Sequence, residues 1–145
     1  MGSFKEKVIY QLYPKSFKDS DGNGMGDIKG IIEKLPYLEK LGIEMIWMNP
    51  VFKSPQKDNG YDVTDYYAID PLFGTMADID ALIAKAKEHG IELMFDMVFN
   101  HTSTTHQWFQ KALENPESKY HDYYYFRKDD GTKTVPNNWG SFFAG

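Results

Sequence analysis

Cysteine is absent from the 145 residues, so disulfide bonds and thiolate metal centres are excluded. That composition fits a cytoplasmic protein. No apolar run approaches the ~18 residues that a membrane-spanning helix needs. The opening residues MGSFKE lack the apolar core of a secretory signal, and Glu6 does not fit a myristoylation site. Positive charge is not in surplus either. The net charge is −5 and no basic stripe is visible, which argues against nucleic acid as a partner. The chain holds no internal repeat and no low-complexity tract.

Aromatic residues are plentiful at 16%, with ten Tyr, ten Phe and three Trp. Flat rings that also reach water suit a carbohydrate or aromatic ligand, although a Tyr-rich core would give the same composition.

The pattern along the chain predicts alternating strands and helices. VIYQLY (Val8 to Tyr13) reads as a strand stopped by Pro14. Ile28, Ile31, Ile32, Leu35, Leu38 and Leu41 recur at a helical period. Pro36 should start a new turn or kink that helix, and Gly42 should end it. IEMIWM (Ile43 to Met48) is a short apolar strand. A long loop follows, then a helix from about Met76 to Glu88 that opens on a Thr75–Asp78 capping box and buries Ile79, Leu82, Ile83 and Ala86. Gly90 should stop it. IELMFDMVFN (Ile91 to Asn100) reads as a strand covered on both faces, and HQWFQKALEN as a last helix. The order βαβαβα implies parallel strands joined by helical crossovers. An open doubly wound sheet and a (β/α)₈ barrel both fit. A barrel needs roughly 250 residues, so this chain would supply only three βα units of one.

In either architecture ligands bind at the carboxyl ends of the strands. Tyr13 lies at the end of the first strand, Asn49 at the second, and Asn100 with His101 at the third. Asp96, inside the third strand, reads as structural and needs a donor such as Arg to remain ionised. In DNGYD (Asp58 to Asp62), Tyr61 is a candidate for stacking on an apolar sugar face, and Asp58 and Asp62 for accepting hydroxyl hydrogen bonds. An Asp-capped surface turn would look the same. In DSDGNGMGD, the residues Asp19, Asp21, Asn23 and the Met25 carbonyl alternate as the oxygens of a calcium loop do, and Asp27 closes the set early. Asp27 could equally be the N-cap of the next helix.

YQLYPKSF, DSDGNGMGD, DNGYDVTDY, FGTM and DMVFNHTS, in this order, closely resemble the alpha-amylase family of glycoside hydrolases. Within it they look like the exo-acting alpha-glucosidase branch, whose members act on isomalto-oligosaccharides, dextran or trehalose 6-phosphate. The resemblance implies α/β architecture: residues 1–103 as the first three βα units of a (β/α)₈ barrel, and residues 104–145 as the start of a subdomain inserted after the third strand. It implies that His101 and Tyr61 bind the sugar just before the scissile bond, and that Asp58 grips the terminal glucose. Phe143 would line the pocket entrance, and Asp96 and Asn100 would be structural. Asp19, Asp21, Asn23, Met25 and Asp27 would hold a structural Ca²⁺. The family's chemistry is retaining, and its nucleophile and acid/base belong to strands beyond Gly145. The chain alone is then expected to be inactive, and its open barrel edges to favour self-association.

Two readings from other classes stay open: a stand-alone, Ca²⁺-stabilised sugar-binding module, and a doubly wound phosphate-binding domain. The second wants a Gly-rich fingerprint after the first strand, and DSDGNGMGD is too acidic to hold a phosphate.

Overall fold

The structure, a computed structural model, describes residues 4–127 and residue 131. The chain divides into two compact units, residues 1–106 and 107–145.

In the first unit a 3₁₀ turn, Phe4–Glu6, precedes β1 (Ile9–Leu12). Pro14 ends that strand and also opens a one-turn helix, α1 (Pro14–Phe17), where its missing N–H is no loss. Next come α2 (Ile28–Lys40), β2 (Met45–Met48), β3 (Phe52–Lys53), β4 (Asp65–Ile69), α3 (Met76–Glu88) and β5 (Glu92–Phe95). β1, β2 and β5 form a parallel sheet in that spatial order, and β3 and β4 form a separate antiparallel pair.

The two long helices start and stop on chemistry written in the sequence. Asp27 caps α2 by accepting from Gly30 N–H at 2.6 Å. Thr75 and Asp78 complete a reciprocal capping box on α3. Gly42 (φ 80°) and Gly90 (φ 67°) take the left-handed turn after each helix. Ile43 N–H then bonds Leu38 O and Ile91 N–H bonds Ala86 O, the six-to-one closure of a Schellman motif. α2 continues through Pro36 as one helix, without the new start that the proline could have imposed. Proline forfeits the bond to the Ile32 carbonyl, but Ile28, Ile31, Leu35 and Leu38 are all fully buried on one stripe, and that burial holds the helix together.

Register sorts the sheet's two faces. Tyr10, Ile46 and Leu93 lie side by side, as do Leu12, Met48 and Phe95, and these rows pack against α2 and α3 with Ile79, Leu82 and Ala86. The alternate row, Gln11, Trp47 and Met94, faces away from the helices.

The third strand ends at Phe95 and is only half-buried; among the described residues β5 pairs with β2 alone. Ile83 is 47% exposed on α3 beside that free edge, and Leu41 is 53% exposed because the helix has already turned into its cap there. The loop after β2 contains the β3–β4 hairpin.

In the second unit α4 (Gln107–Glu114) packs against a 3₁₀ turn, His121–Tyr123. Aromatic pairs hold it: Trp108 edge-on to Tyr123 at 5.6 Å, Phe109 edge-on to Tyr124 at 5.1 Å, and His121 stacked on Phe126 at 4.4 Å. Among the described residues no helix is long and apolar enough to cross a membrane.

Candidate functional site

The face turned away from the helices continues past the strand ends. Asn49 N–H extends the ladder to Leu12 O and Asp96 N–H extends it to Met48 O. Period two then puts Tyr13, Asn49 and Asp96 in the row after Gln11, Trp47 and Met94. So the polar residues at the strand tips share one side of the sheet. Asp96 sits one position beyond its strand, not inside it.

Those tips meet the Asp58–Tyr61 turn. Tyr61 N–H bonds Asp58 O at 3.0 Å, with Asn59 in the left-handed region at φ 52°. Asn and Asp tolerate that region better than most residues. Tyr13 Oη donates to Asn59 O at 3.2 Å and Lys15 Nζ to Asn59 Oδ1 at 3.4 Å, so the end of β1 clamps the turn. Asp62 is occupied by the loop itself, accepting from Ser54 Oγ at 2.7 Å and Lys57 N–H at 3.0 Å. Buried Asp70 ties Ser54 and Gln56 to the same loop.

A relay of donors crosses the site. Gln11 Nε2 donates to Asn49 Oδ1 at 3.2 Å, Asn49 Nδ2 to Tyr61 Oη at 3.3 Å, and Tyr61 Oη to Asp96 Oδ2 at 2.9 Å. Asp96's donor is therefore the Tyr61 phenol, not the arginine expected. Among the described residues no Lys or Arg pairs with it. Burial first, then the hydrogen bond and negative charge of Asp96, push the Tyr61 phenol up to about 12. Burial, with the Asp58 charge, raises Tyr13 as well. Tyr61 is thus held neutral with its ring orientation fixed at both ends. The Asp58 charge helps raise both phenols, and no described residue hydrogen-bonds its carboxylate, so its oxygens are available to a hydroxyl-bearing ligand.

His101 joins the same group. Its Nε2 lies 3.0 Å from Tyr61 O. A carbonyl only accepts, so Nε2 carries the proton. Nδ1 then accepts from Asn100 Nδ2 at 3.1 Å. His101 thus touches Tyr61, Asp58 opens the turn that carries Tyr61, and Asn100 hydrogen-bonds the His101 ring. Phe143 lies outside the described residues. Sequence reasoning missed Gln11 and Lys15 as members of this network. Their polarity beside an apolar strand was the available signal.

The DSDGNGMGD loop folds on its own oxygens. Asp19 accepts from Gly22 and Gly24 N–H at 2.7 Å each and from Asp21 N–H at 3.1 Å. These donors, led by Gly24, hold its carboxyl below the usual range. Asp21 accepts from Asn23 N–H, Asn23 Oδ1 from Met25 N–H, and Asp27 Oδ2 from Ser20. One carboxylate oxygen from each of Asp19, Asp21 and Asp27 lies within 4.8 Å of the others. Asp27 caps α2 with one oxygen while the other faces the loop.

Residues 11–145 match the family profile of the alpha amylase catalytic domain, and the chain belongs to the alpha-amylase family. It is 56% identical over 138 residues to the trehalose-6-phosphate hydrolase of Escherichia coli (strain K12), covering 95% of this chain and 25% of that protein. It is 51% identical over 142 residues to the oligo-1,6-glucosidase of Bacillus cereus, covering 98% and 25%. The crystal structure of Bacillus licheniformis trehalose-6-phosphate hydrolase superposes with a TM-score of 0.92 at 50% identity, over 97% of this chain and 25% of that one. The chain thus spans about a quarter of the length of the relatives it matches.

Proposed function

We propose that the chain is the amino-terminal part of a retaining alpha-glucosidase that removes glucose from the non-reducing end of alpha-1,6 or alpha-1,4 linked oligosaccharides in the cytoplasm. β1, β2 and β5 with their helices are then the first three βα units of a (β/α)₈ barrel, and residues 104–145 begin the inserted subdomain. The carrying observation is the convergence of Asp58, Tyr61 and His101 at one end of a parallel sheet, in a chain of this family. In this reading the Tyr61 ring stacks on the terminal glucose and Asp58 accepts from its hydroxyls. His101 donates to the sugar after releasing one of its present partners. The reacting pair, a carboxylate nucleophile and a carboxylic acid roughly 5–5.5 Å apart, comes from the remainder of the protein.

Hydrolysis of isomaltose by the full-length protein, with none by the 145-residue chain, tests this. Turnover by the short chain, or a full-length protein inert toward every alpha-glucoside, would refute it. A second reading, hydrolysis of trehalose 6-phosphate, is favoured by the similarity to the Escherichia coli and Bacillus licheniformis enzymes of that name. Comparing rates on isomaltose and trehalose 6-phosphate separates the two. The short chain is proposed to self-associate through the free edges of β1 and β5, which sedimentation measures.

Asp19, Asp21 and Asp27, with Asn23 Oδ1 and the Met25 carbonyl, are proposed to hold a structural Ca²⁺. The three converging carboxylates are hard oxygen donors of the kind Ca²⁺ prefers. The ion would stiffen the loop and would take no part in the reaction. Millimolar Ca²⁺ should raise the melting temperature, and Asp21→Ala should abolish the rise. An unchanged melting temperature in the parent protein would reject the site.

A further inference from the structure

We propose that Tyr66 is a positioning residue for His101, fixing its backbone so that the imidazole can exchange its protein partners for a sugar hydroxyl. This inference rests on the reading of His101 as a sugar ligand.

The segment that delivers His101 has little else to hold it. Asp96 N–H still reaches Met48 O, and Ser103 N–H reaches Val63 O. Between them, residues 97–101 make no backbone–backbone hydrogen bond among the described residues. Tyr66, on β4, stands across this gap. Its hydroxyl donates to Val98 O and to His101 O, the latter at 3.1 Å. One proton serves two carbonyls, so the contact spans the whole bend. The Tyr66 ring is itself held among three others: Phe52 at 6.2 Å, Phe99 at 6.1 Å and His106 at 5.8 Å between centroids. Val98 and His106 are themselves buried.

Both ring nitrogens of His101 are already engaged, by Tyr61 O and Asn100 Nδ2. A substrate hydroxyl must displace one of them, and the ring must turn to do so. The Tyr66 bond acts on the carbonyl, not the ring, so it survives that exchange. It sets the pivot about which the imidazole turns.

The test is a double-mutant cycle in the full-length enzyme, read on an aryl alpha-glucoside. Tyr66→Phe keeps the ring and removes the hydroxyl. It should lower kcat/KM about tenfold, the size expected for one lost hydrogen bond, with little change in melting temperature. In a His101→Ala background the same substitution should change kcat/KM less than about twofold, because the residue it serves is gone. An equal loss in both backgrounds would overturn the proposal. If Tyr66→Phe does not fold, Phe99→Ala, which loosens the ring but keeps the hydroxyl, should give a smaller loss that also disappears in the His101→Ala background. A second readout separates this proposal from the functional reading. The His101 ring-nitrogen NMR shifts should move in Tyr66→Phe even if the enzyme acts on a different sugar. Unmoved shifts in a folded variant would overturn the positioning role.

Discussion

Replacing Asp96 by Asn isolates one charge at the centre of the site. Asp96 Oδ2 accepts from the Tyr61 phenol at 2.9 Å, and Tyr61 is raised from 10.0 to about 12, a shift of about 2. Burial is the largest cause and persists in the variant. The hydrogen bond to Asp96 and its charge come next, and both weaken when the acceptor becomes a neutral amide oxygen. The Tyr61 phenol should therefore titrate between 10 and 12 in Asp96→Asn, visible as an earlier late phase in the near-ultraviolet tyrosinate absorbance. The sign follows from linkage. A phenol raised by folding keeps its proton while the unfolded chain releases one, so stability is full below pH 10 and declines as pH rises towards 12. Asp96→Asn should flatten that alkaline decline. At neutral pH the variant loses a charge-assisted hydrogen bond. Such bonds contribute ~1.5–3 kcal/mol in general, and at a half-buried pair solvent reduces the loss to ~1 kcal/mol. A late phase that stays at about 12 in the variant would refute the claim that this carboxylate holds the phenol protonated.

Leu35, fully buried in α2, should lose ~2–5 kcal/mol on substitution by Ala, measured by chemical denaturation; Leu41→Ala, at the exposed cap, should stay within ~0.5 kcal/mol. Thr75→Ala removes the side-chain half of the α3 capping box, leaving the residue 75 N–H on Asp78, and should lower stability by ~1 kcal/mol in the same assay. His106, 2% exposed, is lowered from 6.5 chiefly by burial, which the Asp65 charge only partly opposes. The unfolded chain then binds a proton more readily, so stability is full above pH 6.5 and falls as pH drops below it, and His106→Phe should make the denaturation midpoint less sensitive over that range.

The frame was legible wherever local chemistry and burial agree. Asp27, Thr75, Gly42 and Gly90 mark the helix ends because each supplies a backbone partner or a left-handed turn that few residues supply as well. The β3–β4 hairpin was not legible. β3 is two residues long, and its partner is reached only after the whole Asp58–Tyr61 excursion, so no local pattern announces the pairing. Apolar content also misled at IELMFDMVFN. The run looked like one strand covered on both faces, yet β5 ends at Phe95, and Met97 and Phe99 beyond it are exposed. Of the site, the Asp58–Tyr61 turn was legible from its Asn-Gly chemistry, whereas His101 lies six residues past the end of β5 and was singled out only by its polarity and by the family resemblance. The Tyr66 hydroxyl was not legible, since its acceptors lie 32 and 35 positions further along and are backbone oxygens, which carry no residue signature.

The connections at opposite rims of the sheet differ in slack. Residues 41–44 and 89–91 carry the chain from α2 to β2 and from α3 to β5 through a single glycine pivot and a closing bond each. Residues 13–27 and 49–75, at the other rim, lead from strand to helix and hold Tyr13, Lys15, Asn49, Asp58 and Tyr61. One inserted residue at the tight rim would rotate a strand's side chains onto the wrong face. The same insertion at the loose rim, outside the β3–β4 pair, would alter the shape of a loop while the parallel sheet beneath it stays unchanged.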